Sequence, residues 1–435
     1  MNQKQSVYDI VKNNLCTGCG ICEDICPTKS IQMRIENGEW RPFVKTTTCM
    51  SHKGCKKCLK VCPGVGCNLA ERSGSLFSES KNKDEYLEKY IACFTGYSED
   101  ESIRFHSASG GMLSQFLIYL LDRKIIDGAV VTGFSTGDKT IPHSFIARTK
   151  EEILCARSSK YCPVMLNEVG NEICSTEGKY IVVGLPCHIQ GFRKRADVDR
   201  IFNERVLGYL AIYCSSNRNF YAQDFLLKKY NVNRKDVVYF AYRDEGCLGN
   251  MIIERKQEKD YSHASRTKNT QLNSNSRITI PYTDYYHRLR SFFKPRRCLS
   301  CIDHYGMLAD VSFGDIHVKP YSDDKIGVNS LVVRNLYFHE LLLEAEQDGY
   351  IKLNPLDAVT LNESQKEMLY AKRRKVKALM NVDKLRGRAV PDYDLTCNER
   401  PVIMDYISMV SIGVQRFIGR HPALWLFVDF SNKGK

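Results

Sequence analysis

Four cysteines fall within a short run, Cys16, Cys19, Cys22 and Cys26, and the last is followed by Pro27, giving C-x2-C-x2-C-x3-C-P. Thiolate sulfur is a soft anionic ligand suited to iron. Three thiolates two residues apart wrap one corner of a cubane iron–sulfur cage, and the proline turn carries the fourth to a neighbouring cage. Cys55, Cys58 and Cys62-Pro63 repeat the register, but His52 stands where the first ligand is expected, and Cys49 lies three residues upstream. The spacing therefore assigns one [4Fe-4S] cluster to Cys16, Cys19, Cys22 and Cys62. The other takes Cys26, Cys49, Cys55 and Cys58, with Cys67 the rival for the place of Cys49. A zinc site would explain four of these residues but not the doubled pattern with both prolines.

Residues 1–72 resemble a bacterial-type two-cluster ferredoxin, the longer loop at Cys49 being the departure. Such a head moves single electrons, so the rest of the chain must say where they go. The polar stretch 73–88 reads as a linker. At 435 residues, 43% hydrophobic and 26% charged, the chain should fold into several units. It has no run of ~18 apolar residues and no apolar run followed by a small-residue cleavage site, so a cytoplasmic location is expected. There, clustered thiols bind metal more readily than they form disulfides. The formal net charge is +13. The densest run, KRRKVK from Lys372 to Lys377, is expected to be a solvated helix face. No nucleic-acid module accompanies it, so no nucleic-acid partner is expected.

Beyond the linker, FHSASGGMLSQFLIYLLDRKIIDGAVVTGF divides into a polar turn, an amphipathic helix and a buried strand. Ser109 is expected to cap the helix, and Gly110 and Gly111 would let a ligand approach its N-terminus, where amides and dipole suit a phosphate. Plain capping is the simpler role for such a turn. KYIVVGLPCHIQGFRK repeats strand, turn and helix with Cys187 in the turn, and VLGYLAIYC ends at Cys214. Both thiols fall past the C-terminal ends of apolar strands, where α/β folds place ligands, although a lone buried thiol is ordinarily inert. Cys298 and Cys301 add a C-x2-C pair. Together the four match what a third cluster needs.

The motifs SASGGMLSQFLIYLL, RSSKY, VVGLPCHIQGFRK, YLAIYC and CLSCIDHYGMLADVSFGD follow one another, over roughly residues 90 to 355, in an order that resembles the coenzyme F420 hydrogenase/dehydrogenase beta-subunit family. The resemblance implies a flavoprotein, with FAD beside an iron–sulfur cluster. It places Ser109, Gly110, Gly111, Ser159, Lys160 and Tyr161 in the flavin pocket and makes Cys187, Cys214, Cys298 and Cys301 the ligands of a third cluster. It divides the body into a flavin-binding part, 89–170, and a flavin- and cluster-binding part, 171–355. The sequence departs from the family at RDEGCLGN, Arg243 to Asn250, where an aromatic is expected near the glycine. The expected fold class is α+β: a small ferredoxin-like domain, an α/β body and a helical basic tail, 356–435.

The leading functional expectation is an FAD-dependent iron–sulfur oxidoreductase that carries electrons from an acidic ferredoxin to a small organic substrate, with His188 or Lys160 as proton donor. The alternatives are a subunit that exchanges electrons with the deazaflavin coenzyme F420 for a partner enzyme, and a non-enzymatic iron–sulfur regulator. Lys45, Lys53, Lys56, Lys57 and Lys60 surround the second cysteine group, a field that suits an acidic carrier. In the tail, Ile403, Ile407, Val410, Val414 and Phe417 recur at 4-3-4-3 spacing. Burial against the body is the simplest expectation. A peripheral membrane or partner contact is the alternative, with Arg416, Arg420 and Trp425 as interfacial anchors.

Overall fold

The computed structural model describes residues 6–256, 276–393 and 399–430, so 394–398 and 431–435 of the expected tail lie outside the described residues. An eight-stranded mixed sheet organises the body. Its order is Ile351–Leu356, Ala92–Ser98, Asn329–Val333, Val311–Asp315, Val206–Ile212, Tyr180–Gly184, Gly128–Phe134 and Pro142–Ala147. The run from Val311–Asp315 to Gly128–Phe134 is parallel, and antiparallel strands flank it on both sides. Alternation along each strand splits the core in two. Val131, Ile181, Val183 and Leu210 face helices Met112–Asp122 and Leu336–Gln347. Val130, Val182, Tyr209 and Ala211 face the opposite layer, which includes helix Pro186–Ala196.

The head forms part of that second layer. Cys19, Ile21 and Val61 share a core with Ile189 and Phe192 of the Pro186–Ala196 helix. At Gly191 an added Cβ would come within 2.5 Å of Ile21 Cδ1, so the helix can touch the head only through a bare backbone there. Buried Asp24 joins the two parts: it accepts from Arg195 Nη1 at 2.5 Å and from the Gly170 and Asn171 amides, each at 3.0 Å. The expected linker is likewise built into the fold. Helix Leu69–Leu76, capped by Asn68, and the hairpin Asn82–Asp84 with Glu88–Tyr90 occupy it. Two apolar plugs, Phe77 and Leu87, are buried among its polar residues, which composition alone averages away.

Three further expectations need correction. Ser109 does not cap helix Met112–Asp122. Gly111, at φ +74°, leads into it, the Met112 amide donates to Asn329 Oδ1 at 3.1 Å, and Ser109 Oγ donates instead to Val328 O. The KRRKVK run is not a solvated face, because Lys372 and Arg373 are buried in the π-helical turn Ala371–Lys375. Arg373 donates to Ile302 O and Glu85 O, so body carbonyls take up this charge in place of water. The apolar stripe of helix Ile403–Arg420 does not pack on the body. Ile403, Ile407, Val410, Val414 and Phe417 are all exposed.

A second, three-stranded antiparallel sheet, Val237–Asp244, Asn250–Arg255 and Arg277–Pro281, closes one side of the body with helices Phe220–Lys229 and Tyr282–Leu289. Trp425, expected as an interfacial anchor, is buried in this core against Phe225 and Phe293.

Candidate electron-transfer site

In the head, Gly18 and Gly20, at φ +75° and +81°, wind the first cysteine run tightly enough for its thiols to converge. Cys16, Cys19, Cys22 and Cys62 line one small cavity with Val7, Ile10 and Met33. Burial, then the neighbouring Cys19, Cys16 and Cys62, pushes the Cys22 thiol well above its ordinary range. Four thiols held in so dry a place are poor as free thiols and well matched to a cationic iron cage. Cys58 stands with Cys26, Cys49 and Cys55, which after burial raise its pKa further. Burial raises the Cys67 thiol, and Lys194 and Arg72 pull it back; Cys49, not Cys67, stands with Cys26 and Cys55 among the groups that act on Cys58.

In the body, Cys187, Cys214, Cys298 and Cys301 come together from two parallel-strand ends and one C-x2-C turn. Burial first, then Cys214, Cys301 and Cys298, drives the Cys187 thiol up, and Cys214 rises to about 12. Among the described residues no His, Cys, Asp or Glu group closes round a single metal ion. A four-iron cage does not ask for that, because it holds its thiolates farther apart than one ion does. Lys372 lies beside these thiols. Burial alone would lower its pKa, yet Cys301, Cys214, Cys298 and Asp303 raise it, so its ammonium stays charged against them. Composition gave no reason to look for this lysine here, since the charge run that contains it reads as surface.

The three sets are successive neighbours. Cys58 of the outer head set also acts on Cys22 of the inner one, and Cys19 of the inner set acts on Cys187 of the body set. Cys214 in turn lies in the wall of a cavity of about 360 Å³ at the C-terminal ends of the parallel strands.

Ser109, Gly111, Ser159, Lys160, Tyr161 and His188 line this cavity. Gly110 stands behind them, where an added Cβ would lie 2.8 Å from Gly96 O and 2.9 Å from Asn329 N. Its need for glycine is therefore packing. The three protons of Lys160 Nζ are committed to Ala156 O, Arg157 O and Ser158 O at 2.6, 2.7 and 3.0 Å. Burial pushes its pKa down to about 7, but this cage of carbonyls favours the ammonium, and the lysine holds the turn in which Ser158 takes φ +75°. His188 Nδ1 accepts from the Leu185 amide at 3.3 Å, which leaves the hydrogen of the neutral ring on Nε2. Burial lowers its pKa to about 4.

Opposite them Tyr282 and Tyr286 stack at 4.7 Å, and Tyr161 sits 4.6 Å from Tyr286. Arg243, the first residue of the divergent segment, is buried in this wall. It donates to Asp315 Oδ2 at 2.7 Å, and its guanidinium carbon lies 5.2 Å from the Tyr282 ring centroid. Both lie in segments that the sequence singles out, but neither residue was expected in the site. The available signals were the divergence of the Arg243 segment and the place of Asp315 at the C-terminal end of a parallel strand.

Comparison with known proteins agrees with this architecture. Residues 10–32 match the description "4Fe-4S binding domain". The Methanosarcina barkeri coenzyme F420 hydrogenase subunit beta is 25% identical over 284 residues, 64% of this chain and 86% of that one. A subunit of the F(420)H(2) dehydrogenase from Methanosarcina mazei is 22% identical over 321 residues, 71% of this chain and 78% of its own length. The Methanocaldococcus jannaschii coenzyme F420-dependent sulfite reductase is 30% identical over 186 residues, but only 26% of its length is matched. A chain of the F420-reducing [NiFe] hydrogenase complex from Methanosarcina barkeri shares the fold, with a TM-score of 0.53 and 20% identity over 70% of this chain and 96% of that chain. The "Coenzyme F420 hydrogenase/dehydrogenase, beta subunit" is matched by its N-terminal model over residues 93–170 and by its C-terminal model over residues 177–359. The two matches follow in order over more than half of the sequence, and the chain belongs to the coenzyme F420 hydrogenase/dehydrogenase beta-subunit family.

Proposed function

We propose that this oxidoreductase passes electrons between a one-electron carrier docked on the head and a two-electron compound bound at the body cavity, through three [4Fe-4S] clusters and an FAD. The observation that carries the reading is Cys214, which belongs to the body thiol set and also forms part of the cavity wall. When bound, FAD supplies the interchange between single-electron and hydride chemistry, and the clusters supply single-electron steps.

The chain's own residues do the rest. The two head sets would hold the clusters assigned from spacing, and the body set would hold the third cluster that the family resemblance implies. Tyr161, Tyr282 and Tyr286 offer aromatic faces to a flat ring. Gly111 and the first turn of helix Met112–Asp122, where Leu113 and Ser114 line the cavity, suit a phosphate, Ser109 helps to frame it with its hydroxyl held by Val328 O, and Ser159 adds a hydroxyl. Arg243, held by Asp315, brings a fixed positive charge. His188, kept neutral by burial, can offer its Nε2 hydrogen only as a hydrogen-bond donor, whereas the Lys160 ammonium, lowered to about 7, is the more acidic of the two candidates and would have to leave its carbonyls to give up a proton. The names of the relatives put coenzyme F420 first as the two-electron compound. Its reduction consumes two electrons from two carrier molecules and two protons.

An acidic ferredoxin is the carrier that the head's charge favours. Lys45, Lys53, Lys56, Lys57 and Lys60 are all exposed around the outer thiol set. Steering between such charges is screened over roughly 8–10 Å at moderate ionic strength. Reduction by ferredoxin should slow steeply from low to moderate salt, while reduction by a small neutral dye barely changes. Lys56→Glu with Lys57→Glu should flatten that dependence. An unchanged rate and salt response would place the docking site elsewhere. A visible spectrum without flavin would overturn the cofactor assignment, and bound flavin that reduces another compound but not F420 would change the acceptor alone.

A further inference from the structure

We propose that the outward face of helix Ile403–Arg420 is the seam of a two-fold dimer of this chain. The helix lies beyond the residues that match the family, and the inference stands apart from the electron route. Ile403, Met404, Ile407, Val410, Val414 and Phe417 are each 55–74% exposed. At roughly 100 Å² or more apiece they present on the order of 700 Å², above the roughly 300–600 Å² of the largest patch on a typical monomer and close to the ~800 Å² that one side of a stable interface covers. The 4-3-4-3 spacing averages 3.5 residues, the repeat with which one helix packs against another along a seam.

The chemistry of the flanks selects the occupant. Ser411 and Gly413 beside the seam are small, and a Cβ built on Gly413 meets nothing within 4 Å, so a second helix can approach closely. The charged side chains of the helix turn toward the body. Asp405 accepts from Tyr370 and Arg374, Arg416 donates to Lys294 O and Arg420 pairs with Glu39. With Trp425 buried as well, the basic and aromatic anchors that would hold an interfacial helix on a lipid surface are directed inward. No charge is left on the seam to choose a different protein or to repel a copy. An antiparallel arrangement about a two-fold axis is self-complementary, with Val410 near the axis and the Ile403 end of one helix beside the Phe417 end of the other.

The test is the mass of the anaerobically purified full chain by sedimentation at about 10 μM, where a micromolar interface is populated. Twice the chain mass of 49.9 kDa is expected. Val410→Glu with Val414→Glu should return the single-chain mass with an unchanged circular dichroism spectrum, since exposed sites tolerate polar groups. The milder pair Ile407→Ser with Phe417→Ser should weaken association at least tenfold. Because each copy is strongly basic, the dimer should tighten as salt screens the repulsion between bodies. A single-chain mass for the wild type, or variants that remain dimeric, would overturn the proposal. So would flotation of the wild type, but not the variants, with phosphatidylglycerol vesicles, which would assign the face to lipid.

Discussion

About twelve iron atoms per chain should be found in anaerobically purified protein, four for each set of cysteines. The Cys298→Ser variant should fall to about eight while the head keeps its iron. Serine removes one of the four thiolates and leaves a harder hydroxyl in its place. Cys49→Ser should likewise cost about four irons, and Cys67→Ser none, because Cys49 and not Cys67 stands with Cys26 and Cys55 beside Cys58. An iron content near eight in the wild type, with Cys298→Ser indistinguishable from it, would remove the body cluster. An exchange of phenotypes between the Cys49 and Cys67 variants would reassign the outer one.

Arg195→Leu should destabilise the chain by about 3–5 kcal/mol, the usual cost of leaving a buried charge without its partner. Its Nη1 donates to Asp24 at the junction of head and body, where both side chains are almost wholly buried. Removing both charges in Asp24→Leu with Arg195→Met should be far milder. Burial raises the Asp24 carboxyl to about 6 even with Arg195 present. A carboxyl raised in the folded state binds more protons there than in the unfolded chain, so it gains stability as pH falls through that window. The loss in Arg195→Leu should therefore be smaller at pH 5 than at pH 7, read as the shift in denaturant midpoint. Equal losses at both pH values would mean that Asp24 is not the group left unpaired.

The chemistry-bearing residues were more legible in the sequence than their surroundings. Thiol spacing is local, so C-x2-C-x2-C-x3-C-P specifies its geometry within a few turns of chain, and the apolar strands announce the ends at which Cys187 and Cys214 stand. Long-range partners were not legible. Asn329, not Ser109, completes the start of helix Met112–Asp122, and the buried ion pair of Arg243 with Asp315 joins two segments that local pattern does not connect. Charge runs and apolar stripes mislead for a related reason. Periodicity tells which residues share a face but not what covers it. The pattern puts Lys372 in solvent, whereas it lies beside thiols, and puts Val410 against the body, whereas it lies in solvent.

Rapid mixing of reduced ferredoxin with wild-type and Cys298→Ser protein, followed at iron–sulfur and flavin wavelengths, tests the proposed route most directly. In the wild type both absorbances should bleach. In Cys298→Ser the head iron–sulfur absorbance should bleach at the wild-type rate while the flavin signal stays, because the body set is the only cysteine set that reaches the cavity wall among the described residues. Flavin reduced by ferredoxin at the wild-type rate in that variant would contradict the route through Cys187, Cys214, Cys298 and Cys301.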